Sequence, residues 1–211
     1  PTCLAFAMKL AAKQVELDAC PHVSDEAKSA LAAASAPPIR LIKLGTGDAE
    51  FQIGNETVMF RHEKTFYNQP GFALRVKDTE PVDSIAEKVA AVNDYCVERV
   101  GIDLSFSAIA IENASGDANA FANVVQAVRG QTELPFVLIS ENAGALESAL
   151  GVEGGHRPLL YAATADNWQD MAAVAKAGNA SLAVRTSNGL DELADLTAKV
   201  TGAGVADLVL D

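Results

Sequence analysis

Basic residues are scarce: 16 Lys and Arg stand against 28 Asp and Glu, a formal charge of −12 over 211 residues. Grooves that track nucleic acid rest on clustered Lys and Arg, so that class of partner is excluded. Long hydrophobic runs are missing too. No stretch reaches the ~18–20 apolar residues that a membrane helix needs. Lys9 and Lys13 interrupt the apolar stretch near the start, so it does not read as a signal peptide. Cysteine is rare, and Cys3, Cys20 and Cys96 do not make a secreted disulfide framework. No G-x-G-x-x-G follows an apolar run, and neither Ser140 nor Ser187 sits in a G-x-S-x-G elbow. Those gaps remove the main signs of a dinucleotide fold and of a hydrolase. The composition predicts an acidic, soluble, cytoplasmic protein, 49% hydrophobic and with core enough for one or two domains.

What is present is an alternation. Short apolar runs occur at 72–76, 107–112, 136–140, 158–163, 181–186 and 207–210. Between them lie five helical patterns, the first with Ile85, Val89 and Val92 at helical spacing and the last with Leu190, Leu193, Leu196 and Val200. Asp83, Asp117 and Asn167 stand where helix caps belong, and Gly130, Gly178 and Gly202 where helices close. Near-continuous apolar strands alternating with helices predict repeated βαβ units and a covered parallel sheet. The fold class is therefore α/β. Of the doubly wound sheet and the (β/α)8 TIM barrel, the barrel is favoured because the phosphate fingerprint is missing. Six strands and five helices are fewer than a closed barrel holds, and a last strand at 207–210 would expose an edge. The expectation is a piece of a longer protein.

Ahead of the barrel, "AEFQIGNETVMF" predicts a β-hairpin turning at Gly54-Asn55, with "IRLIKLG" a possible third strand and "LGTGDAE" a turn. "AAASAPP" reads as a linker. The division is then 1–35, a small unit too short for a core of its own; 36–70, linker and hairpin; and 71–211, an incomplete TIM barrel. Cys96 falls in the helical pattern "AAVNDYCVERV" and is assigned to the core.

Cys3 and Cys20 need another account. A straight helix from one to the other would hold them ~25 Å apart. The apolar face made by Leu4, Ala7, Met8 and Ala11 lasts only three turns, however. A helix ending near Ala12 rises ~15 Å, and an extended return of five or six residues covers ~16–20 Å. Cys20 can therefore come back beside Cys3, whose helix Thr2 is placed to cap. Cys20-Pro21 also ends as bacterial iron–sulfur runs do. Two readings stay open: ligands of a metal cluster, or buried structural thiols.

These residues carry a resemblance. "PTCLAFAMKLA", the sixteen-residue gap between Cys3 and Cys20, and "ETVMFRHEKTFYNQPGFALRV" resemble the large subunit of the corrinoid iron–sulfur protein. That family is also known as the gamma subunit of the acetyl-CoA decarbonylase/synthase complex. Cys3 and Cys20 match the third and fourth cysteines of its [4Fe–4S] motif, which implies that both are cluster ligands and that two more precede Pro1. Residues 1–35 would be the C-terminal part of that cluster domain, and the cobalamin-binding domain would follow residue 211.

The resemblance implies a methyl carrier of the reductive acetyl-CoA pathway. A cobamide of the vitamin B12 type takes a methyl group from methyltetrahydropterin, and the cluster restores oxidised cobalt. Implied partners are the small subunit, in a heterodimer, the methyltetrahydropterin methyltransferase, and acetyl-CoA synthase/CO dehydrogenase. It implies no catalytic residue in this chain. The alternative is a pterin-binding methyltransferase barrel that catalyses the transfer itself. Barrel enzymes work from strand carboxyl ends, which here carry Glu112-Asn113, Glu141-Asn142, Thr164 with Asp166, and Thr186 to Asn188. Ordinary capping of the next helix explains such residues equally and is the favoured reading. His22, His62 and His156 have no partners at metal-ligand spacing, and His62 reads as a surface residue.

Overall fold

A computed structural model describes residues 3–11, 15, 19–20, 22–24, 26, 39–55 and 68–211. The chain divides into two units, residues 1–38 and 39–211. In the first, helix α1 spans Cys3–Ala11. Leu4 and Met8 on it are 72% and 68% exposed, and Ala7 beside them is exposed as well.

The second unit is built on a parallel sheet. Its strands are β3 (Ala73–Lys77), β6 (Ala108–Glu112), β7 (Phe136–Ile139), β8 (Leu159–Ala163), β9 (Ser181–Val184) and β10 (Leu208–Leu210). They lie in the order β10-β9-β8-β7-β6-β3, each parallel to its neighbour. Spatial order follows chain order without a reversal, so there is no switch point of the kind that defines a doubly wound sheet. The arrangement is barrel-like, with β3 and β10 as its two edges. Five helices follow the strands in turn: α2 (Val82–Asn93), α3 (Ala118–Arg129), α4 (Ala143–Glu153), α5 (Trp168–Ala177) and α6 (Leu190–Gly202). The six strands and five helices read from the alternation are all present.

The inner strands β6 to β9 are largely buried on both faces, by different neighbours, whereas Ala73, Arg75 and Lys77 of the edge strand β3 are exposed. Leu138, Leu160, Leu182 and Val184 pack among helix residues such as Phe121, Val125, Leu146, Met171 and Val200. Their alternates Val137, Leu159, Tyr161, Ala183 and Val209 face a second, smaller cluster. That cluster is completed by an antiparallel hairpin of β1 (Ile42–Leu44) and β2 (Phe51–Ile53), whose Ile42, Leu44, Phe51 and Ile53 fill the sheet's inner face. Burying one such Leu or Ile contributes about 1.5–3 kcal/mol. The connection between β1 and β2 is the "LGTGDAE" turn, and it contains one 3-10 turn at Gly47–Ala49. Gly54 and Asn55 do take positive φ, 88° and 61°. The strand expected after them, 56–60, lies outside the described residues, as do Thr2, Pro21, His62 and the linker 32–38. No described helix is long and apolar enough to cross a membrane.

The assignment of Cys96 to the core is wrong: the residue is exposed. Helix α2 stops at Asn93, where the Asp94 N–H closes back on the Ala90 carbonyl. The chain then forms a second antiparallel hairpin, β4 (Val97–Arg99) and β5 (Ile102–Leu104), with no buried residue in either strand. Its base is anchored by the Tyr95 ring, edge-on to Phe106 at 5.4 Å between centroids.

Candidate functional site

Polar residues interrupt the apolar strands or follow them, and the sheet's curvature gathers them. Arg75 is the middle residue of β3, Glu112 ends β6 with Asn113 next, Ser140 and Glu141 follow β7, Tyr161 is the middle residue of β8, and Arg185 follows β9. They line a cavity of about 640 Å³ floored by Val137, Ile139 and Ala162. A smaller one of about 250 Å³ shares Glu141 and Arg185 with it and adds Thr164, Asp166, Thr186, Asn188 and Glu192.

The groups in the larger cavity hold one another. Arg75 donates through Nε at 2.9 Å and through its terminal nitrogen at 2.8 Å, both to Oε2 of Glu112. Asn113 Nδ2 donates to Ser140 Oγ at 3.1 Å, and the Asn142 N–H donates to the same oxygen at 3.1 Å. Tyr161 donates its hydroxyl to Asp211, and Arg185 Nε stands 3.9 Å from that carboxylate. Strand β8 shifts register between Leu160 and Ala163. The extra residue keeps both Tyr161 and Ala162 on the inner face, which is how a bulge re-aims side chains beside a site.

The capping account holds for part of the set. Asn142 Oδ1 accepts from the N–H groups of Gly144 and Ala145 and caps α4; Asp117 does the same for α3 from Asn119 and Ala120. Asn167 instead braces the strand ends, accepting from the Thr164 N–H at 2.7 Å and donating to the Glu141 carbonyl at 3.0 Å. Thr186 donates to Glu192 at 2.5 Å. Glu112 and Glu141 cap nothing. Sequence reasoning missed Arg75, Tyr161, Arg185 and Asp211, although a polar residue within or just after an otherwise apolar strand was the available signal.

Tyr161 is pushed above the usual tyrosine range, first because Asp211 accepts its proton in a hydrogen bond, then by burial, with Arg185 and Arg75 opposing. A raised value means that the contact stabilises fully below the ordinary tyrosine range and is lost as pH climbs through the folded value. Alkaline absorbance titration should therefore show a late phenolate step that Tyr161→Phe removes. Ionisation of Tyr161 in the ordinary range would refute this.

In the first unit, Cys20 is half-buried and unbridged, and Cys3 opens α1. Among the described residues no three His, Cys, Asp or Glu side chains gather as a metal site. The chain's three cysteines are also fewer than the four thiolates that normally hold a [4Fe–4S] cluster. Cys3 and Cys20 together would supply at most half of such a donor set. His156, in the second unit, has its ring nitrogen 3.4 Å from Thr46 Oγ1 and 4.0 Å from Glu133, with no metal-ligand cluster around it.

The profile of the family described as "CO dehydrogenase/acetyl-CoA synthase delta subunit" matches residues 41–211, the whole parallel sheet and its hairpins. The chain belongs to that family. Among curated proteins it is 44% identical over 211 residues to the "Corrinoid/iron-sulfur protein large subunit" of Moorella thermoacetica. It is 37% identical over 216 residues to "Acetyl-CoA decarbonylase/synthase complex subunit gamma 2" of Methanosarcina mazei, and 32% identical over 210 residues to the gamma subunit of Methanothermobacter thermautotrophicus. Each match takes in all of this chain and 46–47% of the relative, so the chain spans about half the length of these proteins. Residues 1–40, with Cys3 and Cys20, fall outside the family profile but inside the match to each of these large and gamma subunits.

Proposed function

We propose that this chain is the amino-terminal part of the large subunit of a cytoplasmic corrinoid iron–sulfur methyl carrier in the reductive acetyl-CoA pathway. The observation that carries the reading is the match of all 211 residues, the cysteine-bearing segment included, to large and gamma subunits. Bound cobamide supplies a cobalt that accepts and gives up a methyl group, and a bound [4Fe–4S] cluster supplies low-potential electrons to it. Cys3 and Cys20 serve as thiolate ligands, the remaining two coming from outside residues 1–211. The barrel presents those cofactors to a small subunit, to a methyltetrahydropterin methyltransferase and to acetyl-CoA synthase/CO dehydrogenase.

Metal analysis tests the reading. The full-length protein should contain four irons with acid-labile sulfide and one cobalt in a cobamide absorption spectrum. Residues 1–211 produced alone should hold no stable four-iron cluster. A full-length protein without cobamide would overturn the reading.

The carboxyl-end cavity favours one second reading, a barrel that binds a pterin and catalyses methyl transfer itself, with Glu112, Asn113 and Glu141 toward the ring. Pterin binding by the intact subunit alone would support it.

A further inference from the structure

The chain holds a single Asn-Gly pair, Asn188-Gly189, in the bend that joins β9 to α6. Both residues are exposed. Other asparagines near the strand ends have their amides engaged. Asn142 caps α4, Asn167 accepts from the Thr164 N–H, and Asn113 donates to Ser140. Asn188 differs. Its backbone N–H donates to Thr186 Oγ1 at 3.1 Å, but among the described residues no hydrogen bond reaches its side chain. The N–H of Gly189 likewise has no acceptor among the described residues. Gly189 takes φ 101° and ψ 175°, a backbone that residues with side chains rarely adopt. Apart from its chain neighbours, no atom stands within 4 Å of where its Cβ would be. The side-chain carbonyl of Asn188 and the nitrogen that follows it are therefore both unhindered.

We propose that Asn188-Gly189 is a self-modification site, at which Asn188 loses its amide and becomes aspartate or isoaspartate. The Gly189 nitrogen gives its proton to solvent and attacks Cγ of Asn188. The N–Cγ bond forms, the Cγ–Nδ2 bond breaks, and the amide nitrogen takes up a proton and leaves as ammonia. Water then opens the five-membered imide at one of its two carbonyls. One opening leaves an ordinary aspartate; the other routes the backbone through Cγ and adds a methylene to the bend. Water is the only co-reactant, and asparagine is among the thermolabile residues. Gly189 is also the N-cap of α6 and brings no side chain to the first N–H groups of that helix. The partial positive charge of a helix start favours both an anionic nitrogen during the attack and a carboxylate afterwards. Charged neighbours in the smaller cavity are Glu141, Asp166, Glu192 and Arg185, with Asp191 next along the helix. Each event adds one more carboxylate to a cavity in which Arg185 is the one cation among the lining residues.

The test incubates the full-length protein for days in mildly alkaline buffer. Isoaspartate is mapped by peptide mass spectrometry and by labelling with an isoaspartyl methyltransferase. A synthetic peptide of residues 185–193 serves as the unfolded reference. Isoaspartate should accumulate at residue 188 of the folded protein, and an acidic species should grow in on anion exchange. Asn188→Gln should lose both signals, since the longer side chain would have to close a six-membered ring, while the unfolding temperature stays at the wild-type value. An Asn188 that keeps its amide in the full-length protein while the peptide deamidates shows that the fold closes the site, and overturns the proposal. Isoaspartate spread equally over Asn113, Asn142 and Asn167, or an acidic species undiminished in Asn188→Gln, overturns it as well.

Discussion

Replacing Glu153 with Leu is expected to cost about 3–5 kcal/mol of stability, because it leaves a buried guanidinium without its counter-charge. The carboxylate is 0% exposed and the Arg129 side chain 12%. Arg129 comes from the end of α3 and Glu153 from the end of α4, and their N–O distance is 2.9 Å. Arg129 also donates to the Thr132 and Leu134 carbonyls at 3.0 and 3.1 Å and lies over the Phe136 ring at 3.7 Å. Glu153 further accepts the His156 N–H at 3.0 Å. One pair thus ties two helix ends to the loops that enter β7 and β8. Burial pulls the Arg129 guanidinium down, and Glu153 holds it up. With Glu153 gone, only the weaker attraction of Glu133 among the described carboxylates supports that charge, and Arg129 Nε already lacks a partner. The midpoint of thermal unfolding should fall by roughly 10 °C. Arg129→Met together with Glu153→Leu should recover most of the loss, since an apolar pair of similar volume often matches a buried ion pair. A single-variant loss below about 1 kcal/mol would show that water, and not Glu153, satisfies the Arg129 guanidinium.

The second large effect concerns Cys20. In the full-length protein Cys20→Ala should abolish reductive activation while methyl transfer by pre-reduced protein stays at the wild-type level. The motive is the division of labour proposed above, in which the thiolates hold an electron relay and take no part in methyl transfer. Loss of a ligand thiolate removes or remodels the cluster. The variant must still be folded and loaded with corrinoid. Equal loss of both activities in such a protein would sink the assignment of Cys20 as a cluster ligand in an electron relay.

Of the fold, the strand and helix alternation was legible because the inner strands are largely buried on two faces and read as near-continuous apolar runs. The barrel-like order followed from the missing phosphate fingerprint, and the unreversed strand order agrees. Arg75 and Tyr161 show the limit on the site side. Each looks like an isolated polar residue in an apolar strand, and only the sheet's inward face and the β8 register shift bring them into one cavity. Residues 94–104 show the limit on the fold side. Val92 and Cys96 stand four apart, as on a helix, and local spacing cannot distinguish that from a helix end followed by a strand. Val100-Gly101 is a weak turn signal because Val rarely takes positive φ.

What the sequence determined by itself was therefore everything carried by local periodicity and by residue identity: strands, helices, the cysteine pair and the family likeness. Tertiary structure alone decided which face of each strand looks inward, that Ile42, Leu44, Phe51 and Ile53 fill that face, and that Arg129 meets Glu153. The reason is physical. Burial of an alternating or continuous pattern depends on neighbours a few residues away, whereas side chains twenty to a hundred residues apart meet only after the sheet has curved and the helices have packed.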